Sequence, residues 1–231
     1  MKDTLLKVLS WVDTPTVCNA IEMAQGGRGF DQYTRATVQC STTKSLPIVG
    51  FARTAKIASK EPPIEACEVL RKRRLEYYHY VADSAAPSLM VIEDVDYPDC
   101  AGAYWGEINA HIHAKFGLSG VLTNGVMRDL QDLPEQFAII AGSIGPSHAH
   151  AHVREIGRPV QVFGLTVKEG DFIHADRHGA VIIPPDILPK LDQTIAHLIE
   201  MESIVLGPIS KENFDIEDLL KAWDDFEALR V

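Results

Sequence analysis

Apolar side chains recur along the chain with two different periods, and the change between them divides it. Leu5, Leu6, Val8, Leu9 and Val12 fall on one side of a short helix, and Asp13-Thr14-Pro15 then stops that helix and starts another. Thr14 is a suitable cap and Pro15 a suitable first helical residue, because its missing N–H lies where a helix has no acceptor for it. This second helix is expected over 15–25 and ends at Gly26-Gly27-Arg28-Gly29, a cluster without the preceding strand and following Lys-Ser/Thr of a phosphate loop. Over 47–59, Ile48, Val49, Phe51 and Ile57 stand among short side chains, as in a half-buried strand that Pro62-Pro63 breaks. Helix followed by strand then occurs twice, over 64–82 and 89–92 and again over 107–116 and 120–122. Beyond Pro134 short strands crowd together, over 137–141, 160–167, 171–175 and 180–183, with glycine turns between them. Ile187, Leu188, Leu191, Ile195, Leu198 and Ile199 mark an amphipathic helix that Gly207-Pro208 stops. A last helix over 215–230 gathers Ile216, Leu219, Leu220, Trp223, Phe226 and Leu229 on one face, which must dock on this core or on another subunit.

Composition narrows the classes. With 231 residues, 46% of them hydrophobic and 23% charged, the chain buries a full core without disulfides and forms one domain over 1–231, with no internal repeat. Its net charge of −10 repels a phosphate backbone, so a nucleic-acid partner is not expected. The one basic cluster, Arg71-Lys72-Arg73-Arg74, lies in a helical stretch and points around its circumference, as a solvated face does. Cys18, Cys40, Cys67 and Cys100 are scattered without CxxC spacing, and no basic-then-apolar leader opens the chain, which together place reduced thiols in a cytoplasm. No apolar run reaches the roughly 18 residues of a membrane span.

The stretch 105–130 carries the most chemistry. Gly106-Glu107 opens a helix, and Asn124-Gly125-Val126-Met127-Arg128-Asp129 follows a strand. An open helix start offers unpaired N–H groups and a partial positive charge to a carboxylate. An Arg beside an Asp on a turn binds a carboxylate through its guanidinium while the acid takes a hard cation. Together they describe a site for an anionic 2-oxo acid, although an isolated Arg-Asp pair is also an ordinary surface ion pair.

These residues, with Gly120-Val121-Leu122-Thr123 before them and the block over 169–184 (Glu169-Gly170-Asp171-Phe172-Ile173-His174-Ala175-Asp176 through Pro184), resemble the RraA-like family. That family contains 4-hydroxy-4-methyl-2-oxoglutarate/4-carboxy-4-hydroxy-2-oxoadipate aldolases with oxaloacetate decarboxylase side activity, and non-enzymatic regulators of ribonuclease E. The resemblance covers 14–206 and leaves 207–231 as a C-terminal helical extension. It implies an α/β fold, an α-β-β-α sandwich related to swivelling domains with terminal helices, assembled as a homotrimer or a dimer of trimers with interfacial sites. It further implies that the backbone amides of Gly106, Glu107, Ile108 and Asn109 hold the substrate carboxylate and that Arg128 binds substrate. Asp129 would contact a Mg²⁺ or Mn²⁺ ion, and Glu107, 22 residues earlier, would reach it through water. A C-terminal glutamate of the neighbouring subunit, Glu202 or Glu200, would complete the site. The implied activity is a metal-dependent lyase, cleaving or decarboxylating a small 2-oxo acid to release pyruvate or a related acid; the alternative is a non-catalytic regulator that binds ribonuclease E. Three departures bear on substrate choice: Glu107 replaces the usual Asp, Asn124 stands where many members have Asp, and the stretch 60–86 looks like an insertion.

Other polar groups compete for attention. His148, His150 and His152 alternate and on a strand would share one face, open to Zn²⁺ chelation, substrate contact or a structural role. His111 and His113 lie two apart on a helix, point to different sides, and read as packing or surface residues. His174, Asp176 and His178 flank a glycine turn that Asp176 supports.

Overall fold

The computed structural model describes residues 3–42 and 47–228. Helices α1 (Asp3–Leu9) and α2 (Thr14–Gln25) precede β1 (Gln39–Cys40) and the long β2 (Ile48–Ala58). Then come α3 (Cys67–Ala82), β3 (Ser88–Asp94), β4 (Ala103–Trp105), α4 (Glu107–Lys115), β5 (Leu118–Thr123), β6 (Val126–Met127), β7 (Ala138–Ala141) and β8 (Ser143–Ile144). The strand-rich part holds β9 (His152–Ile156), β10 (Val160–Val162), β11 (Leu165–Val167), β12 (Phe172–Asp176) and β13 (Gly179–Ile182), followed by a 3-10 turn, α5 (Leu191–Ile209) and α6 (Ile216–Ala228).

Eight strands form one sheet along the path β1-β7-β5-β3-β2-β12-β13, with β9 also on β2. The pairs β2-β3, β3-β5 and β5-β7 are parallel, which is why these strands read as continuous apolar runs: both of their faces are covered. Strand β2 pairs with β12 through Ile48 to Phe51 and with β9 through Ala55 to Ala58, and this division of its edge curls the sheet into a half-barrel. Alternation sorts the side chains. Ile48, Ala52, Leu89, Val91, Leu122 and Ile140 face the β10-β11 hairpin, whereas Ala55, Ile57, Met90, Ile92 and Ile139 face α3 and α4. A third apolar cluster joins α1, α2 and α5 to Val49, Phe172 and Val181. Helix α6 packs on α5 and buries only Ala222, leaving Trp223 49% exposed. Among the described residues no helix is long and apolar enough to cross a membrane.

Three local expectations are corrected. The cap of α2 is Asp13, whose Oδ1 accepts from the Thr16 N–H at 2.9 Å. Thr14 is engaged elsewhere: its N–H donates to Asp176 Oδ2 at 2.9 Å and its hydroxyl lies 3.0 Å from His174 Nδ1. The stretch 160–167 is a hairpin rather than one strand, because Phe163 and Gly164 at positive φ turn the chain between β10 and β11. Pro208 sits inside the last turn of α5, where its missing N–H denies a helical partner only to the Ile204 carbonyl, and the helix ends one residue later at Ile209. The last helix is described to Ala228, so Leu229 and Arg230 of the expected element lie outside the described residues.

Two buried histidines give the fold a pH dependence. His113 donates from Nδ1 to the Asn109 carbonyl at 2.6 Å and accepts the Tyr77 hydroxyl at Nε2 at 2.7 Å; His174 donates from Nε2 to the Leu9 carbonyl at 3.0 Å. Burial pushes His113 down to about 4 and His174 downward as well. Unfolding releases both to roughly 6.5, so below that pH the unfolded chain binds more protons than the folded one. Stability is therefore fully present above about pH 6.5 and declines on acidification, His113 alone contributing about 2 kcal/mol between pH 6.5 and 5. The raised Asp94 carboxyl offsets part of this slope at the acid end. Urea midpoints measured at neutral and mildly acid pH check this; equal midpoints would contradict it.

Candidate active site

Three very short parallel strands build the site. Ala103 pairs with Val126 and Trp105 with Met127, and the same β6 residues pair with Ser143 and Ile144 of β8. Ligands of parallel sheets bind beyond the carboxyl ends of the strands. Here those ends deliver Gly106-Glu107 after β4, Arg128-Asp129 after β6 and Gly145-Pro146 after β8. Trp105 and Met127, both wholly buried, anchor the first two, and the Arg128 N–H donates to the Trp105 carbonyl at 2.8 Å.

Asp129 takes a left-handed backbone, φ 57°, which a short polar residue tolerates and which turns its carboxylate back over Gly106. Its Oδ2 accepts from the Glu107 N–H at 3.2 Å and lies 3.5 Å from Arg128 Nε. A Cβ on Gly106 would stand 2.5 Å from Asp129 Oδ2 and 3.0 Å from Arg128 Cγ, so any larger residue there pushes those two side chains from their present positions. Helix α4 starts without a side-chain cap, its first internal bond running from the Ala110 N–H to Gly106. The N–H groups of Ile108 and Asn109 have no acceptor among the described residues and carry the partial positive charge of the helix start. Arg128, Asp129, Leu130, Ile144, Gly145 and Pro146 line an open depression of about 480 Å³.

The structure thus brings together Gly106, Glu107, Ile108, Asn109, Arg128 and Asp129. The Ile108 side chain is 72% exposed, leaving its backbone as the part available to a ligand. The Asn109 side chain is fully engaged, donating from Nδ2 to the Tyr104 carbonyl at 2.6 Å and accepting the Tyr78 hydroxyl at Oδ1 at 3.1 Å. Asp129 and Arg128 are each about one-third exposed, 32% and 33%, and Asp129 Oδ1 has no protein partner among the described residues. A carboxylate oxygen free at the mouth of a depression suits a hard cation such as Mg²⁺, which keeps most of its waters and takes one or two carboxylates. Among the described residues no group of three or more His, Cys, Asp or Glu is placed so as to hold a metal.

Glu202 and Glu200 are not part of this cluster within one chain. Both lie on α5, in the helical layer against α1, α2 and α6, while the cluster tops the layer of α3 and α4. The three alternating histidines do not share a strand face: β9 begins only at His152, and His148 and His150 lie in the preceding turn, where Ala149 takes φ 38°. His148 Nδ1 bonds to the Ala149 carbonyl and His152 Nδ1 to the His150 carbonyl. A second depression, about 340 Å³, lies beside β9 between Lys56, Asp96, His152 and Arg154, with Lys56 already paired to Glu155 at 3.4 Å. Tyr78, Leu130 and Ile144 are site neighbours that sequence reading did not single out; only the adjacency of Leu130 to Asp129 signals any of them.

The family model described as Aldolase/RraA matches residues 14–182. The chain belongs to the RraA-like family. An uncharacterized protein of Methanocaldococcus jannaschii is 30% identical over 121 residues, 51% of this chain and 57% of that protein, so the chain spans little more than half the length of this relative. An uncharacterized protein from Pseudomonas syringae pv. tomato has the same fold at a TM-score of 0.72 and 18% identity, covering 97% of this chain and 95% of that one. A Streptomyces coelicolor structure, described as an unusual member of the RNase ES inhibitor RraA protein family, matches at a TM-score of 0.65 and 17% identity over 91% of this chain and 98% of the other. Like those RraA-like structures, this chain has a curled half-barrel sheet with C-terminal helices.

Proposed function

We propose that this RraA-like protein is a divalent-metal-dependent carbon–carbon lyase that acts on a small 2-oxo acid and releases pyruvate or a related acid. The observation that carries this reading is the adjacency of a guanidinium, a carboxylate with a free oxygen and an open helix start, tied together by the Glu107 N–H bond to Asp129. Membership in the Aldolase/RraA family supports it. The substrate carboxylate takes the Arg128 guanidinium and the N–H groups of Ile108 and Asn109. Asp129, with Glu107 beyond it, would hold Mg²⁺ or Mn²⁺, which when bound supplies a Lewis acid for the 2-oxo group. In retro-aldol cleavage the bond between carbons 3 and 4 breaks, the 4-hydroxyl proton passes to Glu107, and the electron pair stays on the three-carbon fragment facing Arg128. Decarboxylation of oxaloacetate places charge on the same fragment and needs no base. Four free cysteines suit a cytoplasmic enzyme. In the same reading the protein is a homotrimer or a dimer of trimers, Glu202 or Glu200 of one protomer completes its neighbour's site, and the exposed Ile216, Leu220 and Trp223 offer an apolar face for assembly.

The test is pyruvate release from a panel of 4-hydroxy-2-oxo acids and oxaloacetate. At least one member is cleaved with Mg²⁺ or Mn²⁺ present, and excess EDTA abolishes the cleavage. Full activity in EDTA contradicts the metal requirement. No pyruvate from any member, together with inhibition of a ribonuclease E digest, replaces the lyase with the non-catalytic regulator.

A further inference from the structure

Helix α4 is poorly equipped to hold its own first turn. It has nine residues, short for independent stability, and its cap position is Gly106, which makes no side-chain bond. Yet the direction of the Ile108 and Asn109 N–H groups decides how well a carboxylate is held. What fixes that turn comes from outside the helix. Asn109 Nδ2 ties back across the turn to the Tyr104 carbonyl, and Asn109 Oδ1 accepts the hydroxyl of Tyr78 on α3, at 2.6 and 3.1 Å. One turn on, the Asn109 carbonyl accepts from His113, which in turn accepts from Tyr77, the neighbour of Tyr78 on α3. The consecutive tyrosines thus grip α4 at two levels, but their surroundings differ. Tyr77 is wholly buried in the apolar cluster, whereas Tyr78 lies at its edge and is only partly buried. Tyr78 also lies within 60–86, the stretch outside the blocks that resemble the family.

We propose that Tyr78 and Asn109 are positioning residues, which act through the first turn of α4 to aim its backbone amides at the substrate carboxylate. The inference rests on the proposed function, since it assigns that turn to the 2-oxo acid. Neither side chain touches substrate: both polar ends of Asn109 are occupied, and the Tyr78 hydroxyl donates to one of them. Amides that meet the carboxylate equally in the bound substrate and during reaction contribute uniform binding, so their misalignment raises KM and leaves kcat unchanged.

The experiment titrates oxalate and pyruvate into the full-length protein with Mg²⁺ by calorimetry, beside thermal unfolding and steady-state kinetics. Tyr78→Phe removes one neutral hydrogen bond and is expected to weaken oxalate binding about three- to ten-fold, with KM rising in step, kcat unchanged and a small fall in thermal stability that leaves the variant fully folded at the assay temperature. Asn109→Ala weakens binding further, and adding Tyr78→Phe to it has no additional effect, because the hydroxyl has lost its partner. Wild-type oxalate affinity in Tyr78→Phe overturns the inference, as does a loss of binding that merely follows a fall in thermal stability. Absence of oxalate and pyruvate binding by the wild-type protein overturns the assignment of the site itself, and the inference with it.

Discussion

Replacing Arg128 by lysine is expected to lower kcat/KM for 2-oxo acid cleavage by roughly a hundred-fold, the scale of losing one preorganised donor to developing charge. Both side chains carry a positive charge, so the difference lies in geometry. A guanidinium presents a planar fork that meets a carboxylate with two parallel bonds, whereas an ammonium is a point charge on a flexible stem. The fold should not suffer. The Arg128 side chain is one-third exposed, and the bond that joins the loops after β4 and β6 uses its backbone N–H, which lysine retains. Steady-state kinetics with circular dichroism and thermal unfolding on the same sample check both halves. An Arg128→Lys protein with wild-type efficiency removes Arg128 from substrate binding.

Gly106→Ala is expected to be nearly as damaging, although the backbone there is extended and open to any residue. The added methyl would lie 2.5 Å from Asp129 Oδ2 and 3.0 Å from Arg128 Cγ, so both functional side chains must move aside. Displacement of reacting groups by about an ångström costs on the order of a hundred-fold in rate. The surrounding anchors, Trp105 and Met127, are untouched, so thermal stability should fall far less than activity. The measurement pairs kcat/KM with Mg²⁺ affinity, since Asp129 is the proposed ligand of the cation; Gly106→Ala with unchanged values of both would show that these side chains do not need their present positions.

The layer order and the site were legible to different degrees. Runs such as 89–92 and 137–141 announced strands, which the structure covers on both faces, and the open start of α4 after Gly106 was visible as a glycine followed by an acidic helical residue. Arg128 and Asp129 stood out as an Arg beside an Asp after a strand, and three blocks in order that resembled one family set them apart from an ordinary surface pair; the spacing of 22 residues from Glu107 gives no hint that Asp129 folds back over Gly106. Long-range competition explains the missed cap, since Thr14 offers its hydroxyl to His174 and its N–H to Asp176, some 160 residues away. Alternation in 147–152 suggested a strand, but a left-handed Ala149 breaks it, and no pattern of apolar residues reports a turn of that kind. Tyr78 falls within the helix expected over 64–82, and a side chain with an apolar body and a polar tip gives no sign in sequence of what the tip reaches. Glu202 lies on α5, and its proposed place in a neighbouring protomer's site is a relation that neither the periodicity nor the fold of one chain contains.

The most direct measurement is a crystal structure of the protein with Mg²⁺ and pyruvate bound. The expected result is a cation about 2.1 Å from a carboxylate oxygen of Asp129. The pyruvate carboxylate should lie on Arg128 and the N–H groups of Ile108 and Asn109. Pyruvate and Mg²⁺ bound together elsewhere, with Asp129 and Arg128 in contact with neither, would contradict the assignment of this site.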